Sequence, residues 1–265
     1  MSVWRRVLAA GAALVALAVS AAAEPAADWT VTLGVEGRVL PRYEGSARSM
    51  FAPFPMLEVR RGGTPRNFSS PRDGVSFGLL DSRRFQAGPT VKVRFPRKES
   101  SDNDLRGLGD VDWTLEAGAF VEYWPADWLR GRVELRQGIG GHHGLVSDLM
   151  ADVVVPVTPQ LTLSGGPRLT LASASATAPY FSITPAQSAG SGLPVYTAGG
   201  GLRSLGAGAQ ARYEWSKAWA THIFIEYERL AGDAGNSPLV STRGTRDQVQ
   251  VGLGVTYSFD MKRLW

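Results

Sequence analysis

His142, His143 and His222 are the only histidines in 265 residues, and the chain has no cysteine. A thiolate nucleophile, a thiolate metal site and a disulfide framework are therefore excluded. Two adjacent histidines on a strand point to opposite faces, so His142-His143 holds a metal only with a third ligand from elsewhere. Asp102, Asp104 and Asp110 lie in a second polar segment. Histidines and carboxylates at the rim of a barrel are what a water-activating protease would need. A solvated loop has the same composition, and that plainer reading is preferred. A membrane phospholipase needs serine and histidine two residues apart on a lipid-facing side. His143 is followed by Gly144 and Leu145, so that spacing is missing. His222 shares an alternating phase with Glu226, which suggests a structural pair. The glycines at 199–201, 206 and 208 are followed by no Lys-Ser/Thr pair, so they do not make a phosphate loop. The expectation is a protein that is not an enzyme and carries no cofactor or metal.

The charges with a pattern lie elsewhere. Arg130, Arg132, Glu134 and Arg136 occupy alternate positions, and Asp112, Glu116 and Glu122 do so in the segment before. On neighbouring antiparallel strands these acids would face these bases. Arg168 and Arg203 would extend the same surface. Two readings follow: a salt-bridge network that fills an interior, or a charged eyelet for anionic solutes. The network is favoured.

The elements that would position these side chains are strands. Val249, Val251, Leu253, Val255, Tyr257 and Phe259 alternate with Gln248, Gln250, Gly252, Gly254, Thr256 and Ser258. Trp29–Val35, Val111–Val121, Leu129–Leu135, Leu161–Leu171 and Trp219–Tyr227 alternate in the same way. In a strand, successive side chains take opposite faces. These segments run to about ten residues, near the 9–11 of a tilted membrane strand and longer than the usual 5–6. Aromatics such as Trp29, Trp113, Tyr123, Trp124, Trp128, Tyr213, Trp215, Trp219, Tyr227 and Tyr257 fall near segment ends, as in an interfacial girdle. The fold expected is an all-β transmembrane antiparallel barrel of about twelve strands. They are placed at 29–38, 50–61, 66–70, 74–81, 85–96, 110–124, 128–138, 145–156, 160–172, 199–214, 218–230 and 246–259. Short turns alternate with long polar loops near 39–49, 97–109, 139–144, 173–198 and 231–245. That asymmetry puts both termini in the periplasm. The stretch 66–81 is open between one bent strand and two short ones, and an even total favours two.

Composition agrees. Charged residues are 20%, hydrophobic residues 44% and mean hydropathy −0.08, which excludes a disordered chain and a bundle of membrane helices. The 31 glycines and 16 prolines disfavour long packed helices. Residues 1–23 read as a cleaved signal peptide: Arg5 and Arg6, then an apolar run, then Ala21 and Ala23 before Glu24. Residues 24–265 would then form a single barrel domain. Losing Arg5 and Arg6 lowers the formal net charge from +4 to +2, which gives no reason to expect a nucleic-acid partner.

Several short stretches resemble the MipA/OmpV outer-membrane proteins, the MltA-interacting protein family. They are Tyr43-Glu44-Gly45-Ser46, Leu105-Arg106-Gly107-Leu108-Gly109-Asp110, Val195–Gly200, Tyr227–Ala234 with Ser237-Pro238, and a last strand closing on Tyr257-Ser258-Phe259. The likeness spans nearly all of the mature chain. One departure is the extension Asp260–Trp265, which leaves either Phe259 or Trp265 as the terminal aromatic read by the barrel-assembly machinery. The resemblance implies an outer-membrane location in a Gram-negative cell, contact with outer-membrane lipid, and a scaffold role. In that role the protein would link a lytic transglycosylase to a penicillin-binding protein in peptidoglycan synthesis and remodelling. A narrow porin-like channel for small solutes and a surface adhesin are the alternatives.

Overall fold

Alternation in the sequence becomes two faces of one curled sheet. In the computed structural model, which describes residues 29–61 and 66–262, twelve strands form a single sheet. They are β1 (Trp29–Pro41), β2 (Ser49–Arg61), β3 (Val75–Ser76), β4 (Leu80–Asp81), β5 (Phe85–Arg94), β6 (Thr114–Ala126), β7 (Leu129–Gly140), β8 (Leu145–Pro156), β9 (Leu161–Ala172), β10 (Gly201–Glu214), β11 (Trp219–Leu230) and β12 (Asp247–Met261). Every pairing is antiparallel, and β1 closes on β12 with Trp29 opposite Met261. The faces are inverted relative to a water-soluble protein. On β7, Arg130 is fully buried while Val133 and Leu135 are 44% and 52% exposed. Apolar residues outside and charges inside is the lipid-facing barrel pattern. Among the described residues no helix is long and apolar enough to cross a membrane; the strands make the wall.

The strand count meets the expectation, but the division at 66–81 differs from it. Residues 66–70 form no strand, and the following stretch contributes the two-residue strands β3 and β4, both on the same edge of β5. Direction explains why. β2 descends toward the short-turn end, where Arg61 meets Trp29. β3 and β4 are antiparallel to the ascending β5 and so descend too. The chain between them has to climb back, and residues 66–74 do so inside the barrel. Phe68 lies edge-on to Trp124 near the bottom, and Gly74 donates its N–H to Glu134 higher up. The segment turns at Ser70–Asp73, where the Asp73 N–H bonds the Ser70 carbonyl at 3.0 Å and Pro71 holds the favoured first central position. β2 keeps a free edge among the described residues, which suits Pro53 and Pro55, since proline lacks the N–H a second ladder would require. The sheet ends still approach each other, with the Phe54 and Phe95 rings 5.6 Å apart.

One end of the barrel is capped. Short connections, such as 157–160 and 215–218, lie at the other end, together with the paired Trp29 and Met261. The long connections fold over the cap end as α1 (Ala174–Phe181), α2 (Pro185–Ser191), α3 (Gly232–Asn236), α4 (Pro238–Arg243) and the 95–113 loop. They share two small apolar cores, one around Phe181, Val240 and Leu230, the other around Leu105, Ile183 and Leu239. The aromatic girdle is densest at the short-turn end, where Trp219 contacts Tyr257 at 4.8 Å between ring centres and Tyr213 contacts Trp215 at 4.5 Å. The expected signal peptide, Glu24–Asp28 and Trp265 lie outside the described residues.

Candidate functional site in the barrel lumen

The inward phase of β6 to β9 is a lattice of charges. Arg130 donates to Glu122 at 2.9 Å, to Asp152 at 3.0 Å and to Asp73 at 2.6 Å. Arg132 reaches Glu134 at 2.9 Å and Glu122 at 3.1 Å, and lies 4.0 Å over the Phe120 ring. Arg136 bonds Glu116 at 3.0 Å, Asp148 at 2.5 Å and also Glu134. Arg168 pairs with Asp152 at 2.5 Å and donates to Ser70 at 3.2 Å. The order of charges follows from strand register. Glu122 stands opposite Arg132, and Arg130 opposite Asp152, because acids and bases occupy the same phase of adjacent antiparallel strands.

The inward segment ties this half of the wall to the other. Asp73 joins Arg130, while Arg72 reaches Glu226 and Glu228 on β11 and donates to Thr170 at 2.6 Å. Burying charges is tolerated only when each is paired and hydrogen-bonded. Each arginine from β7 to β9 facing the lumen meets that condition, which leaves no ring of unpaired charge to act as an eyelet. The void beside the segment is about 10 Å³, lined by Phe68, Ser70, Gly165 and Gly208 among others. That is roughly one water molecule.

Above the lattice, Glu44 from the first long connection inserts between Arg203, at 2.7 Å, and Arg94, at 2.5 Å. Burial alone would raise this carboxyl; the two guanidiniums outweigh it and hold the pKa at about 2. Gly45 next to it has φ +98, and a Cβ there would press on Val240 at 2.7 Å. Arg94 and Arg203 also lie over the Tyr180 ring of α1, at 4.8 and 5.4 Å, so the cap is joined directly to the charged layer.

Glu116, Glu122, Arg130, Arg132, Glu134, Arg136 and Arg168 thus come together inside the barrel. Asp112 does not. It precedes β6 on the 95–113 loop, its side chain is 81% exposed, and its partner is Lys98 at 3.4 Å. The loop detains this stretch: Arg97 bridges Val111, and the Glu99 N–H binds Asp110, so β6 starts at Thr114 and not at 110. His142 is not solvated: it is buried, 3.1 Å from Glu116 and edge-on to Tyr180. His222 pairs with Glu36 and not with Glu226, which Arg72 takes. Among the described residues no cluster of three or more metal-ligating side chains occurs. Sequence reading missed Arg72, Asp73, Glu44, Asp148 and Asp152. Asp148 and Asp152 had a usable signal, since they share the inward phase of a strand between Leu149 and Val153. Arg72 had none, because it reaches the lumen from a segment outside the ladder.

The family model described as MltA-interacting protein MipA matches residues 33–259. No curated protein matches the chain. Among solved structures, an outer membrane channel from Pseudomonas putida F1 is 12% identical with a TM-score of 0.43, covering 89% of this chain and 97% of its own. The NanC porin is 8% identical with a TM-score of 0.42, covering 86% and 98%. The KdgM porin in complex with disordered oligogalacturonate is 10% identical with a TM-score of 0.41, covering 87% and 99%.

Proposed function

Because the chain belongs to the MltA-interacting protein MipA family and is an outer-membrane barrel, we propose that it acts as a closed scaffold and not as an open pore. The short-turn end, with both termini, faces the periplasm. There it holds a lytic transglycosylase, the partner named in the family's description, next to a penicillin-binding protein for peptidoglycan remodelling. Residues 1–23 direct export, and the barrel-assembly machinery inserts the remainder as one domain. The observation carrying this reading is the filled lumen. Segment 66–74 crosses it, the β7–β9 arginines are neutralised there, and the long connections cover the far end. A barrel whose lumen is crossed and whose lattice charges are paired with one another acts, on this reading, through its surfaces.

Reversible crosslinking in intact cells, followed by detergent extraction, tests the proposal. Murein enzymes should co-purify with the barrel, and the purified barrel should give no current steps in a planar bilayer. Steady discrete conductance from the parent protein, with no murein enzyme retained, overturns it. A second reading rests on one observation: among the described residues, a segment outside the wall ladder crosses the lumen below the cap, so a channel gated by 66–74 is the alternative. It predicts current steps that appear at high voltage and change on Arg132→Glu.

A further inference from the structure

The short-turn mouth holds the larger cavity, about 260 Å³, and its charges are not balanced like those above. Four bases line it, Arg60, Arg66, Arg212 and Lys217, against one lining carboxylate, Glu214, and Arg60 is itself engaged. Arg66 is engaged by Glu58 at 2.9 Å. Arg212 has a side chain only 12% exposed, yet its ion pair with Glu214 spans 3.5 Å and Glu214 is 51% exposed. Its Nε is buried without a hydrogen-bond acceptor, as are those of Arg72 and Arg168, so the long distance to its acid is what sets Arg212 apart. Each buried arginine of the β7–β9 lattice has at least one carboxylate within 3.1 Å, so this is a local departure from the rule that fills the lumen. Lys217 projects from the 215–218 turn and has no ion pair among the described residues. Arg60, Arg212, Ala220 and Ser258 belong to the inward phase of their strands, so the cavity opens to water along the barrel axis and not to lipid.

We propose that this mouth is a binding site for a small carboxylate or phosphate group. The anion completes the coordination of Arg212, with Lys217 and Arg66 supplying the remaining charge. A guanidinium with an unfilled donor in a half-enclosed basic cavity binds such groups through charge-assisted hydrogen bonds. The site stands on its own geometry; only its facing the murein layer rests on the scaffold reading. In that setting the free carboxylates of peptide stems are the matching chemistry, and phosphate is the competing source.

The full barrel in detergent, at constant ionic strength, is titrated with succinate, with inorganic phosphate and with chloride as the screening control. Calorimetry gives the affinity and the stoichiometry. Saturable one-to-one binding of succinate or phosphate over chloride is expected, and their ratio tells which source the site prefers. Arg212→Gln should weaken binding at least about tenfold, the cost of one charged hydrogen bond. Lys217→Glu should do the same from an exposed position that folding does not need, and it carries the test if Arg212→Gln fails to fold by gel mobility. Arg83→Gln, at a different short turn, should change nothing. The proposal falls if neither anion saturates beyond chloride, or if Lys217→Glu titrates like the parent. Loss of murein partners with anion binding intact would overturn the scaffold reading alone.

Discussion

At the cap end, Arg94 and Arg203 share one carboxylate, Glu44, beneath a lid with its own apolar cores. At the short-turn end, Arg212 sits almost as deep with only a distant, half-exposed Glu214. The residue types are the same and the consequences opposite. Where the acid is enclosed by wall and cap, as Glu44 is, arginine becomes structure. Where the nearest acid stands at the half-exposed end of a strand, as Glu214 does at the end of β10, arginine keeps capacity for a ligand. Charge alone therefore does not distinguish a filled lumen from a binding mouth; the placement of the acids does.

The strongest way to test that contrast is to remove a balanced arginine. Arg130→Ala leaves Glu122, Asp152 and Asp73 buried without their shared cation, and breaking such a pair costs about 3–5 kcal/mol. Urea unfolding in lipid vesicles, followed by tryptophan fluorescence, should show a loss of that size. A loss below about 1 kcal/mol would mean the lattice is not what holds the wall. Arg72→Ala should cost less, about 3 kcal/mol, because the segment carrying it can relax while β11 stays paired. It should also turn a silent barrel into one with bilayer current steps. If it stays silent, the cap alone closes the lumen.

Much of this was legible in the residues. Period two, the aromatic ends and the short-long alternation of connections give the sheet and its inside face, because lipid on one side and charge on the other force alternation. The inward phases of β6, β7 and β9 carry charges such as Glu122, Arg130 and Arg168 for that reason. The parts that were not legible share a cause: they depend on chain outside the ladder. Residues 66–70 read as a strand because an even total favours two short strands across 66–81, yet strand direction forces that stretch inward. Asp112 kept the inward phase in sequence but is detained by the Arg97–Val111 bridge. The cap is legible only as long polar connections, since its cores assemble residues from four separate loops. Three of the stretches that carry the family resemblance, Tyr43–Ser46, Leu105–Asp110 and Val195–Gly200, lie in it, whereas Tyr257–Phe259 lies at the other end.

Acid should distinguish the two ends more gently. The Glu44 carboxyl ordinarily titrates near 4.5 and here is held at about 2 by Arg203 and Arg94. A depressed carboxyl contributes stability that is complete above its unfolded value and is lost as pH falls through the folded one. The cap should therefore loosen between about pH 4.5 and 2, seen as faster hydrogen exchange in residues 42–48 and 174–181. Glu44→Gln should loosen it already at neutral pH and flatten that pH dependence. Exchange in β7 and β8 that rises in step with the cap would show that lid and lattice unfold as one unit.

The smallest expected effect concerns whether the cap is a module of its own. α2 starts with a reciprocal capping box: the Gln187 N–H reaches Thr184 Oγ1 at 3.2 Å, and the Thr184 N–H reaches Gln187 Oε1 at 2.9 Å. The helix is seven residues long and buries none of them, so the cap and Pro185 at its first turn are its main support. Thr184→Ala should cost about 1 kcal/mol locally. Its signature is quicker proteolysis within 185–192, with gel mobility, bilayer silence and succinate titration all as in the parent. Gln187 also donates to the Leu108 carbonyl at 2.6 Å, so a fraying α2 would next release the 95–113 loop. Proteolysis that spreads to 97–109 but stops short of β6 would place the boundary between lid and lattice at Thr114, where the loop hands over to the wall.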